Sequence, residues 1–339
     1  MKSLTKTLWF SSLTALCSLS FFPAHAFVPD DVHWDPQFGI PGTTNSIAAI
    51  ALNGGNIYAS CFGSTSPTLK YFDGGQWNTI GTFTNSPGAT TVYDMAFVGN
   101  TLYAAGAFNQ VNGIPINGLA QWNGSTWSGV GLNTGTVLSL AVSGANLYVG
   151  GLFTNLDSSG VMMTNIGMWD GGAWHALGEG LGLPNTAIVR SVAVSGGLLY
   201  AGGLFTNSGS QVISNVAVWN GSTWSGLGTG VNNNVNAVAA SGGNVYVGGN
   251  FSQAGGAPAS FIAQWNGSFW SAMDGGLSAA ASGIGIFNNL VCVAGGFATA
   301  GGITVSNFAI WNGSAWSGAG IGLSASASRV VGTTSNVFV

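Results

Sequence analysis

Short runs of alternating apolar and polar residues, separated by turns rich in glycine and asparagine, recur along the chain. In segment 235–273 the runs VNAVAA and VYVGGNF flank the turn SGGN. The loop 252–260, the run FIAQW, the turn NGSF and a run that starts at Trp270 follow. Period-two alternation bounded by such turns is typical of β-strands. The pattern therefore predicts units of four short strands, A to D, without helical periodicity.

The same unit recurs at a nearly fixed period of 45 to 52 residues. Three aromatic-rich series mark it, in strand B, at the end of strand C and at the start of strand D. The strand-B series is Tyr58, Tyr103, Tyr148, Tyr200, Tyr246, Cys292 and Phe338. The strand-C series is Phe72, Trp122, Trp169, Trp219, Trp265 and Trp311, and the strand-D series is Trp34, Trp77, Trp127, Trp174, Trp224, Trp270 and Trp316. Self-similarity at this period is typical of repeat architectures.

The repeat predicts an all-β propeller of four-stranded antiparallel blades. We expect about seven blades with the last one incomplete, and six blades is the alternative. The units span residues 47–82, 92–133, 137–181, 189–230, 235–276 and 281–322, with a partial unit at 327–339. Segment 32–39 resembles strand D, so we expect it to close the ring with the partial unit and remove open sheet edges.

The first 26 residues have the features of a signal peptide. Lys2 and Lys6 precede the apolar stretch 8–22, and Ala24-His25-Ala26 fits the small-x-small cleavage rule. We expect cleavage after Ala26, which leaves the propeller at 27–339 and places the protein outside the cell, secreted or at the surface. No later run is apolar and long enough to predict a transmembrane segment.

Charged residues make up only 4% of the chain, whereas hydrophobic residues make up 46%. After cleavage the strong cations are Lys70, Arg190 and Arg329, and nine acids give a net charge of 3 − 9 = −6. This balance excludes nucleic acid as a partner, because binding a phosphate backbone needs clustered basic residues. An extracellular protein or a polysaccharide is the expected partner.

Paired glycines at the end of strand B, an aromatic residue ending strand C and a tryptophan opening strand D resemble the kelch repeat. Gly150-Gly151 with Trp169 and Trp174 show the pattern, and the next unit repeats it. The central domain of galactose oxidase belongs to this group of propellers. The resemblance covers nearly all of the chain after residue 26 and implies the fold. It departs from the kelch pattern in its strand-C tryptophan and its short, uniform C–D turn.

The resemblance does not extend to the copper chemistry of galactose oxidase, which uses a cysteine-modified tyrosine and histidines. His33 and His175 are the histidines that follow the predicted cleavage site. Two scattered imidazoles do not make a metal site, and no GxSxG motif is visible. We therefore expect no metal, no cofactor and no catalytic residues.

Several motifs have a structural and a functional interpretation. The tryptophan pairs predict packing between blades, whereas exposed indoles would serve as sugar platforms. The Asn-Gly-Ser sequences predict tight turns, although they also match glycosylation sequons. Cys61 and Cys292 fall in blades that are not neighbours, so we expect two separate thiols.

Five residues are candidates for binding. At one position of the innermost strand the units carry mostly small residues, but Asp94 and Arg329 occupy it in two units. We expect both side chains to reach the central channel. Arg190 and Glu179 lie on the long D–A connection before the fourth unit, and His175 replaces a serine that is common in strand D.

The function expected from these features is that of an exported, non-enzymatic binding module. The B–C and D–A loops vary in length and emerge on the same face, which is often the binding face. A glycan-binding, lectin-like propeller is the first alternative. A loop-borne hydrolase or oxidoreductase is the second.

Overall fold

The computed structural model describes residues 46–61, 66–319, 322–332 and 337–338. Regular structure in these residues consists of β-strands, which confirms the predicted all-β propeller with antiparallel four-stranded blades. The predicted signal peptide and the closing segment 32–39 lie outside the described residues. None of the described segments forms a helix that is long and apolar enough to span a membrane.

The first two units illustrate the arrangement of a blade. The first sheet contains β1 (Ile47–Asn53), β2 (Asn56–Cys61), β3 (Thr68–Phe72) and β4 (Trp77–Thr84). The second unit contains β5 (Thr91–Val98), β6 (Thr101–Ala107), β7 (Gln110–Val111), β8 (Ile114–Pro115), β9 (Leu119–Trp122) and β10 (Trp127–Gly129). Strands β5, β6, β9 and β10 form the second sheet, while β7 and β8 form a hairpin that pairs with the end of β4.

The third and fourth units keep the same order. The third sheet contains β11 (Thr134–Ser143), β12 (Asn146–Leu156), β13 (Met162–Trp169) and β14 (Trp174–His175). The fourth unit contains β15 (Ile188–Ser195), β16 (Leu198–Leu204), β17 (Asn207–Ser208), β18 (Gln211–Val212), β19 (Val216–Trp219) and β20 (Trp224–Gly226). Here β17 and β18 form a separate hairpin in the B–C connection.

The remaining units complete the described fold. The fifth contains β21 (Val235–Ser241), β22 (Asn244–Gly249), β23 (Gln253–Ala254), β24 (Ala257–Pro258), β25 (Ile262–Trp265) and β26 (Trp270–Ala272). The sixth contains β27 (Ala281–Phe287), β28 (Leu290–Gly295), β29 (Thr299–Ala300), β30 (Ile303–Thr304), β31 (Phe308–Trp311) and β32 (Trp316–Gly318). A pair of short strands, β33 (Val331–Gly332) and β34 (Val337–Phe338), represents the seventh.

The first strand of each unit contacts the first strand of the next, from β1 to β33. These strands therefore form the inside of the propeller, and the later strands of each unit lie farther out. Buried side chains fill the space between neighbouring sheets, and each main core cluster draws on two consecutive units.

The strand-D tryptophans join neighbouring units. The Nε1 of Trp174 donates a hydrogen bond to the carbonyl oxygen of Val130 in the preceding unit, at 2.7 Å. The equivalent bonds, at 2.7 to 2.8 Å, are made by Trp127, Trp224, Trp270 and Trp316. Each of these indoles also packs on the strand-C tryptophan of its own sheet, with ring centroids 5.2 to 5.5 Å apart. The predicted packing between blades is confirmed.

The Asn-Gly-Ser sequences form the expected tight C–D turns, which are closed by hydrogen bonds to the asparagine side chain. The side-chain oxygen of Asn123 accepts hydrogen bonds from the backbone N–H groups of Ser125 and Thr126, at 3.0 and 2.9 Å. Only the glycine takes a positive φ, which is 99° at Gly124. Asp170 replaces asparagine in the third unit because its carboxylate accepts the same two bonds.

The B–C connections are structured. The hairpin in the B–C connection of one unit is hydrogen-bonded to the D–A connection of the preceding unit. In the fifth unit, for example, Gly255 N–H donates to the carbonyl oxygen of Gly230, and Asn232 N–H donates to that of Gln253. The loop face is thus part of the contact between blades.

Cys61 and Cys292 are buried in β2 and β28 and do not form a disulfide. Their sheets, the first and the sixth, are separated by the seventh unit. The prediction that these two cysteines do not pair with each other is confirmed.

Candidate functional site

The inner strands share a β-bulge near their D–A end. In β5, Val92 and Asp94 pair with consecutive residues of β6, so Tyr93 is an extra residue without a partner in the ladder. Equivalent register shifts leave Ala48, Leu138, Arg190, Asn236 and Ser282 as the extra residues of the other five complete sheets. A bulge bends the strand and redirects its side chain.

All six bulge residues line one central cavity of about 510 Å³, together with Ser46, Ile47, Thr91, Ser328 and Arg329. Ser328 follows the bulge residue of the sixth unit at the repeat spacing, 282 + 46 = 328. All seven units therefore contribute to the cavity, and its volume lies within the range of small-molecule sites. It is built from the strand ends that join the B–C and D–A connections.

The side chain of Arg329 extends from the last unit to the second and third units. Its Nε and Nη2 donate hydrogen bonds to the carbonyl oxygen of Tyr93, at 3.1 and 2.8 Å. Nη2 also donates to the carbonyl oxygen of Leu138, at 2.8 Å. Tyr93 and Leu138 are the bulge residues of their strands and have no partner in the β-ladder. The guanidinium therefore links the last unit to the second and third units.

Asp94 lies beside Arg329 but does not face the cavity directly. Its Oδ2 accepts a hydrogen bond from Leu140 N–H in the next unit, at 2.8 Å, and is 3.7 Å from Nη2 of Arg329. Its Oδ1 accepts from Met95 N–H at 2.9 Å. The Oγ atoms of Ser139 and Ser191, at the same repeat position, accept the equivalent bonds between units. This position therefore joins inner strands.

The expectation that this position lines the channel needs a correction by one residue. The bulge instead places the residue before this position in the cavity. Arg329 is an exception, because it occupies the position itself and also lines the cavity. Arg190 was assigned to a connection, but it lies within β15 at its bulge. Sequence reasoning missed Tyr93, Asn236 and Ser282, because alternation alone does not show where a strand gains an extra residue.

Arg190 makes no hydrogen bond or ion pair with any described residue, and its Nε is buried. A guanidinium has five N–H donors and stays protonated in proteins. The two terminal nitrogens of Arg190 are not buried, and because the residue lines the cavity, their N–H donors are accessible to a ligand there. The Nη1 of Arg329 is also without a hydrogen bond to described residues.

The other two candidates lie elsewhere. Glu179 is exposed in the turn after β14, where its carboxylate lies against Gly209 of the hairpin between β17 and β18. His175 is on β14, the outermost strand of its sheet, and its Nε2 lies 2.7 Å from Oδ2 of Asp170. Arg190 and Arg329 line the same cavity and Asp94 lies beside Arg329, but neither Glu179 nor His175 is near these three residues.

The hydrogen bond between His175 and Asp170 affects the pKa of the Asp170 carboxyl. The hydrogen bond from His175, followed by those from Gly172 and Ala173 N–H, lowers the pKa of Asp170 to about 2. A carboxyl whose pKa falls on folding stabilises the fold above its unfolded pKa of about 3.9, and this contribution is lost as the pH falls toward 2. We expect the pKa of Asp170 to rise in His175→Ala, as measured by carboxyl ¹³C NMR titration.

Asp157 is an internal control for this titration. Ser159 and the N–H groups of Val161 and Ala176 lower its pKa to about 2 without a bond to His175. Its titration curve should be the same in both proteins. An unchanged Asp170 curve in His175→Ala would show that the imidazole does not lower that pKa.

Comparison with known proteins bears on the fold. No protein-family model matches the sequence, and no curated protein matches it. The extracellular domain of a hybrid two-component system from B. thetaiotaomicron is 12% identical, with a TM-score of 0.54 over 86% of this chain and 36% of that one. The computationally designed Ika8 protein is 13% identical, with a TM-score of 0.48 over 86% and 92%. U3-55K is also 13% identical, with a TM-score of 0.48 over 80% and 78%.

The likeness to the two-component extracellular domain, whose TM-score is above 0.5, concerns the fold alone at 12% identity. The strand order, the contacting inner strands and the cavity shared by seven units lead to the same conclusion. The chain is a β-propeller with four-stranded antiparallel blades.

Proposed function

We propose that this protein is an exported, non-enzymatic binding module that holds its partner at the mouth of the central cavity, between the B–C and D–A connections. The observation that carries the proposal is the cavity itself, on which seven units converge with an arginine that has no partner among the described residues. The kelch-like repeat and the signal-peptide features of residues 1–26 support an extracellular propeller of this kind. An extracellular protein or a polysaccharide is the proposed partner.

The charged groups at the cavity are suited to binding rather than to proton transfer. An arginine side chain does not give up its proton near neutral pH. Asp94 uses both carboxylate oxygens to accept backbone N–H bonds, so its position is fixed by the strands of two units. General acid–base catalysis needs a group that can exchange a proton with the substrate.

A lectin-like function is compatible with this proposal, but its binding site would differ from the expected one. The indoles of the five Trp–Trp pairs are buried or half-buried against each other, so they do not offer open sugar platforms. A glycan partner would instead enter the central cavity through its terminal unit.

Ser282→Tyr tests whether the partner uses the cavity. Tyrosine is the natural residue at the same bulge in the second unit, so we expect the strand to accept it while the larger ring fills the cavity. The labelled protein would be screened against arrays of glycans and extracellular proteins. We expect every specific interaction to be lost in Ser282→Tyr.

Ser268→Tyr is the matched control, because Ser268 is exposed in the C–D turn at the opposite end of the blade. It should bind like the original protein. Partner binding that survives Ser282→Tyr, or a protein that binds nothing on either array, would contradict the proposal.

A further inference from the structure

The positive charge of the described chain is concentrated in the central cavity. Lys70, Arg190 and Arg329 are its strong cations, and the two arginines both line the cavity. The chain after residue 26 carries a net charge of −6, so long-range attraction does not bring an anion to this protein. Physiological salt screens that net charge over distances beyond about 8 Å. The two arginines therefore dominate the electrostatic potential that a ligand meets inside the cavity.

The carboxylate of Asp94 does not neutralise both arginines. It lies 3.7 Å from Arg329 and accepts two backbone N–H bonds, and Arg329 in turn donates to two carbonyl oxygens. Arg190 has no such partners among the described residues. Within the described part of the chain, the guanidinium of Arg329 is therefore compensated and that of Arg190 is not, a geometry that favours a ligand with a single negative charge.

The rest of the lining is neutral and polar. The side-chain hydroxyl groups of Thr91, Tyr93 and Ser282 make no hydrogen bond with a described residue. The side chain of Asn236 uses only its Nδ2, which donates to Ala281 O at 3.1 Å. Hydroxyl and amide groups both donate and accept hydrogen bonds, as sugar hydroxyls do. The Tyr93 ring can pack against the apolar face of a pyranose.

We propose that the central cavity binds an acidic sugar, a hexuronate unit whose carboxylate is held by Arg190 and whose hydroxyls meet the bulge side chains. This deepens the proposed function and depends on it. Arginine is suited to the role because its planar N–H groups can bind a carboxylate through two parallel hydrogen bonds. An acidic peptide offers the same charge, but it lacks the several hydroxyl groups that this lining complements.

Titration calorimetry at about 0.15 M salt tests the inference with glucuronate and galacturonate, and with glucose, acetate and an Asp-Asp dipeptide as comparison ligands. We expect a hexuronate to bind at least tenfold more tightly than any comparison ligand. Arg190→Gln should weaken that binding by roughly tenfold to a hundredfold, the usual effect of losing a hydrogen bond to a charged group.

Lys70→Gln is the matched control, because it removes the same charge from β3, outside the cavity lining. It should leave hexuronate affinity unchanged, and both variants should melt like the original protein. No hexuronate binding, equal affinity in Arg190→Gln, or equally tight binding of acetate or the dipeptide would overturn the inference. If a partner from the arrays is lost in Ser282→Tyr but retained in Arg190→Gln, the binding function stands and the acidic-sugar assignment falls.

Discussion

Replacing Gly203 with alanine is expected to lower the free energy of unfolding by about 3 kcal/mol, near the upper end of the usual cost of overpacking a core. Gly203 is the second glycine of the pair that ends strand B, and its backbone faces the bulge of β15. A Cβ atom there would lie 1.9 Å from the carbonyl oxygen of Ile188. Because the obstacle is backbone in the inner strand, relief requires the bulge itself to move. Denaturant unfolding followed by tryptophan fluorescence measures the change.

Gly172→Ala is the control for this substitution. Gly172 lies in an exposed C–D turn without a positive φ, and its added Cβ would approach Asp170 no closer than 3.8 Å. The free energy of unfolding should change by no more than about 0.5 kcal/mol, as is usual for surface substitutions. Equal effects of the two alanines would show that the paired glycines are not required by the bulge.

The same contact recurs in four other units, where the Cβ of Gly106, Gly151, Gly249 or Gly295 would lie 2.1 to 2.5 Å from an inner-strand carbonyl oxygen. The first glycine of the pair has a different role. A Cβ on Gly202 would lie 2.4 Å from a Val235 methyl group of the next unit. The paired glycines thus serve two contacts, one within the sheet and one between sheets.

Trp174→Phe is expected to cost about 3 kcal/mol of unfolding free energy. The substitution leaves the buried carbonyl oxygen of Val130 without its donor, which costs about 1–3 kcal/mol, and the smaller ring leaves unfilled space in the core. Trp174 is 5% exposed and lies between the second and third sheets. Equilibrium unfolding of the variant measures the loss.

Trp169→Phe provides a comparison within the same sheet. Trp169 is similarly buried, at 9% exposed, but its Nε1 is a buried donor that has no hydrogen-bond partner among the residues that the structure describes. Its replacement removes the same atoms and no hydrogen bond, so we expect a loss of only about 1 kcal/mol. A loss as large as that of Trp174→Phe would show that ring packing, and not the bond between units, sets the stability.

The sequence predicted the strands and their assembly into a propeller. Its alternation has period two, its turns are marked by glycine and asparagine, and these local signals hold in every unit because each blade repeats the same contacts. The tryptophan pair could be placed from sequence as well, because Trp169 and Trp174 flank a four-residue turn and must lie opposite each other across a hairpin.

The composition of the central cavity could not be predicted in the same way. Asp94 and Arg329 stand out in the repeat as charged residues at a position that is mostly small, but that position is mainly the one that joins neighbouring strands. A bulge shifts the side chain that faces the centre by one residue, and it depends on the pairing of two strands, which no single strand's pattern reveals.

The sequence by itself determined the all-β class, the repeat unit, the turns and the scarcity of charge, because each follows from residues that are close together in the chain. Only the tertiary structure decided which residues lie together in the central cavity. Arg329 reaches Tyr93 across 236 positions of sequence, and Arg190 enters the same cavity from a third unit. The physical reason is that the cavity contains one bulge residue from each complete blade, so its chemistry exists only when the blades are arranged around a common axis.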